Sequence, residues 1–247
     1  MACRPIRWSP NMTSAASAQC EWGLAGVEAL RGHVAVLVIV DVLSFSTAVD
    51  VAVARGAAIL PFPLGDQAAA QTAAGDAQAL LATHRRAQSG QYSLSPASLV
   101  AIAPGTRLML PSPNGSRLSL AGGGTPVLAG CLRNAAAVAA LAREIAGIGA
   151  VGMIPAGERW PDGSLRPAIE DWLGAGAILD ALGLPLSAEA RVARDAYRAA
   201  EPDLAALIRD SRSGRELIDG GFPDDVEIAL EIGVSRAAPM LRDGAYR

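Results

Sequence analysis

Val34-Ala-Val-Leu-Val-Ile-Val40, followed at once by Asp41-Val-Leu-Ser-Phe-Ser46, is the segment on which the fold turns. Seven consecutive apolar, mostly β-branched residues match a strand buried on both faces, with no polar side for water. The run stops on an aspartate, a short loop follows, and Thr47 to Ala54 reads as a helix closed by Gly56. A buried strand feeding a helix through a polar loop is the unit of a parallel α/β sheet.

Working outward, Ala57–Phe62, Arg107–Leu110, Val127–Cys131 and Ala150–Ile154 read as further strands. Asp66–His84, Asn134–Ala146, Ile169–Leu182 and Ser187–Leu207 read as helices. The alternation predicts an α/β fold: a mostly parallel sheet with helices on both faces and a helical C-terminal region. Residues 1–247 read as one domain; a helical subdomain over residues 187–247 is the alternative.

Composition narrows the functional classes. Hydrophobic residues make up 51% of the 247, much of it alanine, and no uncharged apolar run reaches the length of a spanning helix. Aromatics are only 4%, so Val, Leu, Ile and Ala must pack the core. No lysine occurs, and a net charge of −3 leaves no electrostatic footprint for nucleic acid. Cys3, Cys20 and Cys131 are odd in number and widely spaced, fitting neither a disulfide framework nor a zinc site. Residues 1–19 show no apolar core of a signal peptide, so cytoplasmic residence is the default expectation.

Polar residues gather after the C-terminal ends of successive predicted strands: Asp41, Ser112 to Ser116, Arg133-Asn134, and Glu158 to Asp171. That edge of an open α/β sheet is where ligands bind. Asp41 suits a metal ligand or nucleophile at the floor of a site, or else a plain cap for the next helix. Ser44, Ser46 and Thr47 place hydroxyls at that helix's start, where free N–H groups favour a phosphate or where they serve as caps. Ser112-Pro-Asn-Gly-Ser116 is a tight turn in its own right. Arg133 can clamp an oxyanion, Asn134 can cap a helix, and Glu170-Asp171 is favourable in any first helical turn. The chain has no P-loop, no Gly-x-Gly-x-x-Gly after a strand and no Gly-x-Ser-x-Gly elbow. Neither His33 nor His84 follows a predicted strand end, which removes a histidine-based triad.

Taken together, Val38-Ile-Val-Asp-Val-Leu-Ser-Phe-Ser-Thr47, Ser112-Pro-Asn-Gly-Ser116, Arg133-Asn-Ala-Ala-Ala-Val-Ala139 and Ile169-Glu-Asp-Trp-Leu-Gly-Ala-Gly176 resemble the 2-phosphosulfolactate phosphatase family, associated with coenzyme M biosynthesis. Ser211-Arg-Ser-Gly-Arg-Glu-Leu-Ile-Asp-Gly220, Asp224-Asp-Val226 and Pro239 are similar to the family's ending. The resemblance implies magnesium-dependent hydrolysis of a phosphate monoester on a small sulfonated or carboxylated acid. It implies Asp41 and Asn114 as catalytic residues, and Asp41 with Glu170 or Asp171 as magnesium ligands. Ser44, Ser46, Thr47, Ser116, Arg133, Asn134 and Arg85 would then bind the substrate. The nucleophile is either a magnesium-activated water or Asp41 itself through an acyl phosphate. The implied partner is a small anionic phosphorylated substrate, and alanine-rich helices allow a homodimer.

The chain departs from the family at Ser44, where arginine is usual, and at Thr83-His-Arg-Arg86, Leu94-Ser-Pro96 and Pro113. Arg85 or Arg86 is the candidate replacement for the missing charge. These departures motivate the alternative of a family member that binds a small anion as a regulatory protein without turnover.

Overall fold

The computed structural model describes residues 16–85 and 91–247, so Cys3 and Arg86 lie outside the described residues. In chain order the strands are β1 (Ser17–Cys20), β2 (Val36–Val40), β3 (Ala58–Pro63), β4 (Leu80–Leu81), β5 (Arg107–Ser112), β6 (Val127–Gly130) and β7 (Ala150–Pro155). Two short antiparallel pairs follow, β8–β9 (Glu158–Arg159 with Leu165–Arg166) and β10–β11 (Leu241–Arg242 with Ala245–Tyr246). The helices are α1 (Gly23–Leu30), α2 (Phe45–Ala54), α3 (Gln67–Asp76), α4 (Gly115–Leu120) and α5 (Ala135–Ala146), then α6 (Ile169–Leu182), α7 (Ala188–Ala200), α8 (Leu204–Asp210), α9 (Arg212–Asp219) and α10 (Pro223–Ala229).

β2 is buried at every position and lies inside a four-stranded parallel sheet of order β1-β7-β2-β6. Its side chains alternate between two cores, as the period of a strand requires. Val36, Val38 and Val40 pack with buried residues of α5, α6 and α7; Leu37 and Ile39 join Phe45, Val49, Leu108 and Leu110 on the other face. The α5 sequence serves this arrangement, since Ala135, Val138, Ala139, Ala142 and Ala146 recur at helical spacing and are its buried residues.

The sheet is not the single one expected. Arg107–Ser112 does not pair with β2 or β6; it lies between β3 and β4 in a second sheet of order β10-β11-β3-β5-β4. Parallel pairing of β3, β5 and β4 is capped by the antiparallel C-terminal strands, with Tyr246 opposite Ile59. Hydrophobic runs identify strands, but pairing partners are set by long-range packing that no local pattern carries.

Two helical spans also differ. The helix expected over Asp66–His84 stops at Asp76, Gln78 takes a left-handed φ of 50°, and Leu80–Leu81 pairs with β5. The helix expected over Ser187–Leu207 breaks at a 3-10 turn containing Pro202, whose missing N–H cannot continue the ladder. β1 and α1 precede β2 without having been foreseen, and β1 pairs in parallel with β7. Among the described residues, no helix is long and apolar enough to cross a membrane. Cys20 and Cys131 are buried free thiols.

Candidate active site

The loop after β2 is organised by its own aspartate. Asp41 Oδ1 accepts the Phe45 N–H at 3.0 Å, which caps the first turn of α2. Asp41 Oδ2 accepts the Gly115 N–H at 2.9 Å, a bond that no helix cap for α2 requires. The second bond depends on a glycine: a Cβ at Gly115 would stand 2.2 Å from Phe45 Cδ1, so only hydrogen lets α4 approach this closely. Asp41 is 6% exposed, and both its oxygens are aimed by backbone N–H groups.

α6 brings the second acidic pair to the same loop. A Cβ at Gly174 would meet Val42 Cγ2 at 2.6 Å, so the helix passes directly against the end of β2. Asp171 then reaches across: Oδ1 accepts the Val42 N–H at 2.7 Å and Oδ2 the Gly157 N–H at 2.9 Å. Its carboxylate ties the loop after β2 to the loop after β7. Glu170 is buried beside the Ser211 and Ser213 hydroxyls and Arg166. From β8, Glu158 Oε2 accepts the Asn114 Nδ2 hydrogen at 2.9 Å, which joins the turn after β5 to the hairpin after β7.

Asp41, Glu158, Glu170 and Asp171 therefore share one electrostatic neighbourhood, although they come from three separate parts of the chain. Burial pushes the Asp41 carboxyl up to about 6, against the pull of the Phe45 and Gly115 N–H groups. Burial first, then the negative charge of Asp41, pushes Glu158 up to about 7. Burial raises Glu170, and burial with the charges of Asp41 and Glu170 raises Asp171 well above the usual carboxylate range. Repulsion of this kind is what a cation or a retained proton relieves.

The donors are hard carboxylate oxygens, the type magnesium selects. Among the described residues, no three His, Cys, Asp or Glu side chains form a group arranged to hold a metal ion by themselves.

A cation faces this cluster. Arg85 donates from NH2 to Ser44 Oγ at 2.9 Å, and its NH1 lies 3.0 Å from Asp225 Oδ2 in an ion pair off the line of a hydrogen bond. Burial lowers the Arg85 pKa, while Asp225, Asp41 and Glu158 all act to keep it charged. Phe222 lies under the guanidinium, 5.3 Å from ring centre to Cζ. Asp225 is itself held by the Ser95 hydroxyl and the Ala97 N–H. The guanidinium thus stands against the side chain of Ser44.

Other residues singled out by sequence are engaged elsewhere. Ser46 Oγ accepts the Asp41 N–H and donates to the Ile39 carbonyl; Thr47 Oγ1 donates to the Val42 carbonyl and Ser116 Oγ to the Leu110 carbonyl. These hydroxyls shape the loops around Asp41. Arg133 pairs with Asp50 on α2 and with Glu231, and Asn134 bonds back to Cys131 and Ala129. The structure gives neither a contact with the Asp41 group. Conversely, Arg166, Ser211, Ser213 and Asp225 were not among the expected site residues, and Glu158 appeared only as the start of a polar cluster. Glu158 and Arg166 lie in the polar loop after Ala150–Ile154, the one positional signal that pointed toward them.

A family profile described as 2-phosphosulpholactate phosphatase matches residues 27–244. Over 142 residues the chain is 37% identical to the 2-phosphosulfolactate phosphatase of Methanothermobacter thermautotrophicus, a match covering 57% of this chain and 58% of that protein.

Proposed function

This chain belongs to the 2-phosphosulpholactate phosphatase family, and from that premise we propose that it is a magnesium-dependent phosphatase of a small sulfonated or carboxylated acid, 2-phosphosulfolactate or a close analogue. The observation that carries the reading is the convergence of Asp41, Asn114, Glu158, Glu170 and Asp171 from distant segments, with Arg85 facing them.

Asp41 and Glu170 are the carboxylates assigned to magnesium. When bound there, the ion supplies neutralisation of phosphoryl charge and acidification of a bound water. Asp41 acts as a fixed ligand: two backbone N–H groups orient both oxygens and spend part of the electron density a nucleophile would use. Asp171, with both oxygens on backbone N–H groups, positions the loops that carry Asp41 and Glu158. Arg85 presents a second positive charge to the phosphoryl group, in the place where Ser44 leaves room for it.

Glu158 serves as the proton donor to the leaving alkoxide. Its Oε2 accepts the Asn114 hydrogen, so the proton is carried on Oε1, and burial beside Asp41 keeps that proton on near neutrality. Asn114 holds the acid in place.

The test is phosphate release from 2-phosphosulfolactate and a panel of phosphate monoesters, with magnesium and with EDTA. Magnesium-dependent turnover that favours the acid-bearing ester supports the reading. No turnover of any monoester would replace it with the small-anion binding protein that Ser44 and the Thr83–Arg86 segment suggested.

A further inference from the structure

Between the start of α1, the helix α4 and the β8–β9 hairpin lies a cavity of about 190 Å³. It shares two residues with the candidate site: Asn114 and Glu158, joined by their 2.9 Å hydrogen bond, form part of its wall. Trp22 and Leu165 supply apolar wall, and Trp22 is fixed by stacking on Trp172, with ring centres 5.1 Å apart and planes within 8°. Arg117 from α4 and Arg159 from β8 complete the lining, and both are exposed.

We propose that this cavity receives the non-phosphate acid group of the substrate, and that Arg117 and Arg159 are the specificity-determining residues that recognise it as a short-chain sulfonate or carboxylate. The proposal rests on the phosphatase reading for the position of the phosphoryl group. The space is partly open to solvent and accommodates a two- or three-carbon acid.

Charge sets the orientation. The negative charge of Asp41, felt at Glu158, repels a carboxylate or sulfonate, so the substrate's acid group must point away from Asp41. The cavity offers it two guanidinium groups there. Among the described residues, Arg117 has no carboxylate partner and Arg159 donates only to the Gly163 carbonyl, at 3.1 Å. A single exposed arginine is ordinarily just solvated. Two of them, brought by separate elements to one apolar-walled cavity beside the proposed proton donor, are placed to bind an acid bidentately. Arg85 is not available for this task, because Ser44 and Asp225 hold it on the phosphoryl side.

The experiment compares wild-type protein with Arg117→Gln, Arg159→Gln and the double variant, each confirmed folded by circular dichroism. The quantity read is the ratio of kcat/KM for 2-phosphosulfolactate over that for phenyl phosphate, which has no acid tail. Loss of a charge-assisted contact of about 1.5–3 kcal/mol predicts a ratio lower by about ten- to hundredfold in the double variant, carried mainly by KM. A 2-phospholactate arm separates sulfonate from carboxylate preference. An unchanged ratio, or an equal fall for both substrates, overturns the assignment. Calorimetric titration with sulfolactate covers the case in which wild-type protein hydrolyses no monoester. Binding by wild type that is lost in the double variant upholds the pocket while the phosphatase reading fails, and absence of binding by wild type overturns the pocket itself.

Discussion

Asp41→Asn separates the catalytic and structural roles of the residue at the centre of the site. The substitution is nearly isosteric but not neutral, because both carboxylate oxygens accept backbone N–H groups, from Phe45 at 3.0 Å and Gly115 at 2.9 Å. The amide can accept only one of them and turns an NH2 donor toward the other. An unsatisfied buried donor of this kind costs about 1–3 kcal/mol. Against that stands relief from a buried charge. The Asp41 carboxyl is pushed from 3.8 to about 6, so at pH 8 in metal-free protein ionisation opposes folding by about 3 kcal/mol, which asparagine avoids. The two effects are similar in size and opposite in sign. Urea unfolding at pH 8 in EDTA should therefore place the variant within about 2 kcal/mol of wild type. Its turnover with magnesium should fall at least about a hundredfold, since an amide is a poor magnesium ligand. Near-normal turnover would refute the reasoning and leave Asp41 as a cap for α2. A loss of stability beyond about 4 kcal/mol would refute the balance of terms, by showing that the charge itself holds the loop.

Gly115→Ala should be more damaging than its size suggests, because the new Cβ would stand within 2.2–2.6 Å of three Phe45 atoms; a loss of about 1–3 kcal/mol in urea unfolding, with reduced turnover, is expected. Asp171→Ala leaves the Val42 and Gly157 N–H groups without partners, which predicts a loss of about 2–6 kcal/mol and, in calorimetry, a fall in Tm of roughly 5 °C or more. In EDTA, stability should decline as pH rises from about 4.5 to 7 and level off above. Glu158 is raised from 4.5 to about 7 in the folded protein, so the folded state holds the extra proton in that window and loses its advantage as the proton leaves. Glu158 alone accounts for about 3 kcal/mol of the decline, and Glu158→Gln should reduce it by about that amount in pH-dependent urea unfolding.

The strand at the centre of the fold was legible because burial on both faces leaves an unbroken apolar run, and Asp41 because it interrupts that run abruptly. The family's short motifs pointed to Asn114, Glu170 and Asp171. What stayed hidden is long-range. Arg107–Ser112 reads as a strand from its own residues, but its place in a second sheet depends on β3, β4 and the C-terminal hairpin. Arg133 looks like an oxyanion clamp until Asp50 and Glu231, far away in sequence, are seen to occupy it. Ser46 and Thr47 sit at a helix start where hydroxyls suit a phosphate, yet nearby carbonyls take their hydrogens first. Asp171 carries acidic chemistry in sequence and a bracing role in space, because Val42 and Gly157 reach it only after α6 packs on β2 at Gly174. Glu158 lies in a polar loop that no periodicity marks, and only the fold brings it to Asn114.

The account stands or falls on a cation and a phosphate sharing the edge beyond β2. Anomalous diffraction from crystals grown with manganese, as a stand-in for magnesium, and inorganic phosphate addresses this directly. An anomalous peak about 2.0–2.2 Å from an Asp41 oxygen, shared with Glu170 and a phosphate oxygen, with Arg85 turned to the phosphate, is the predicted result. A phosphate bound there without metal, or a metal bound only at carboxylates away from Asp41, would contradict it.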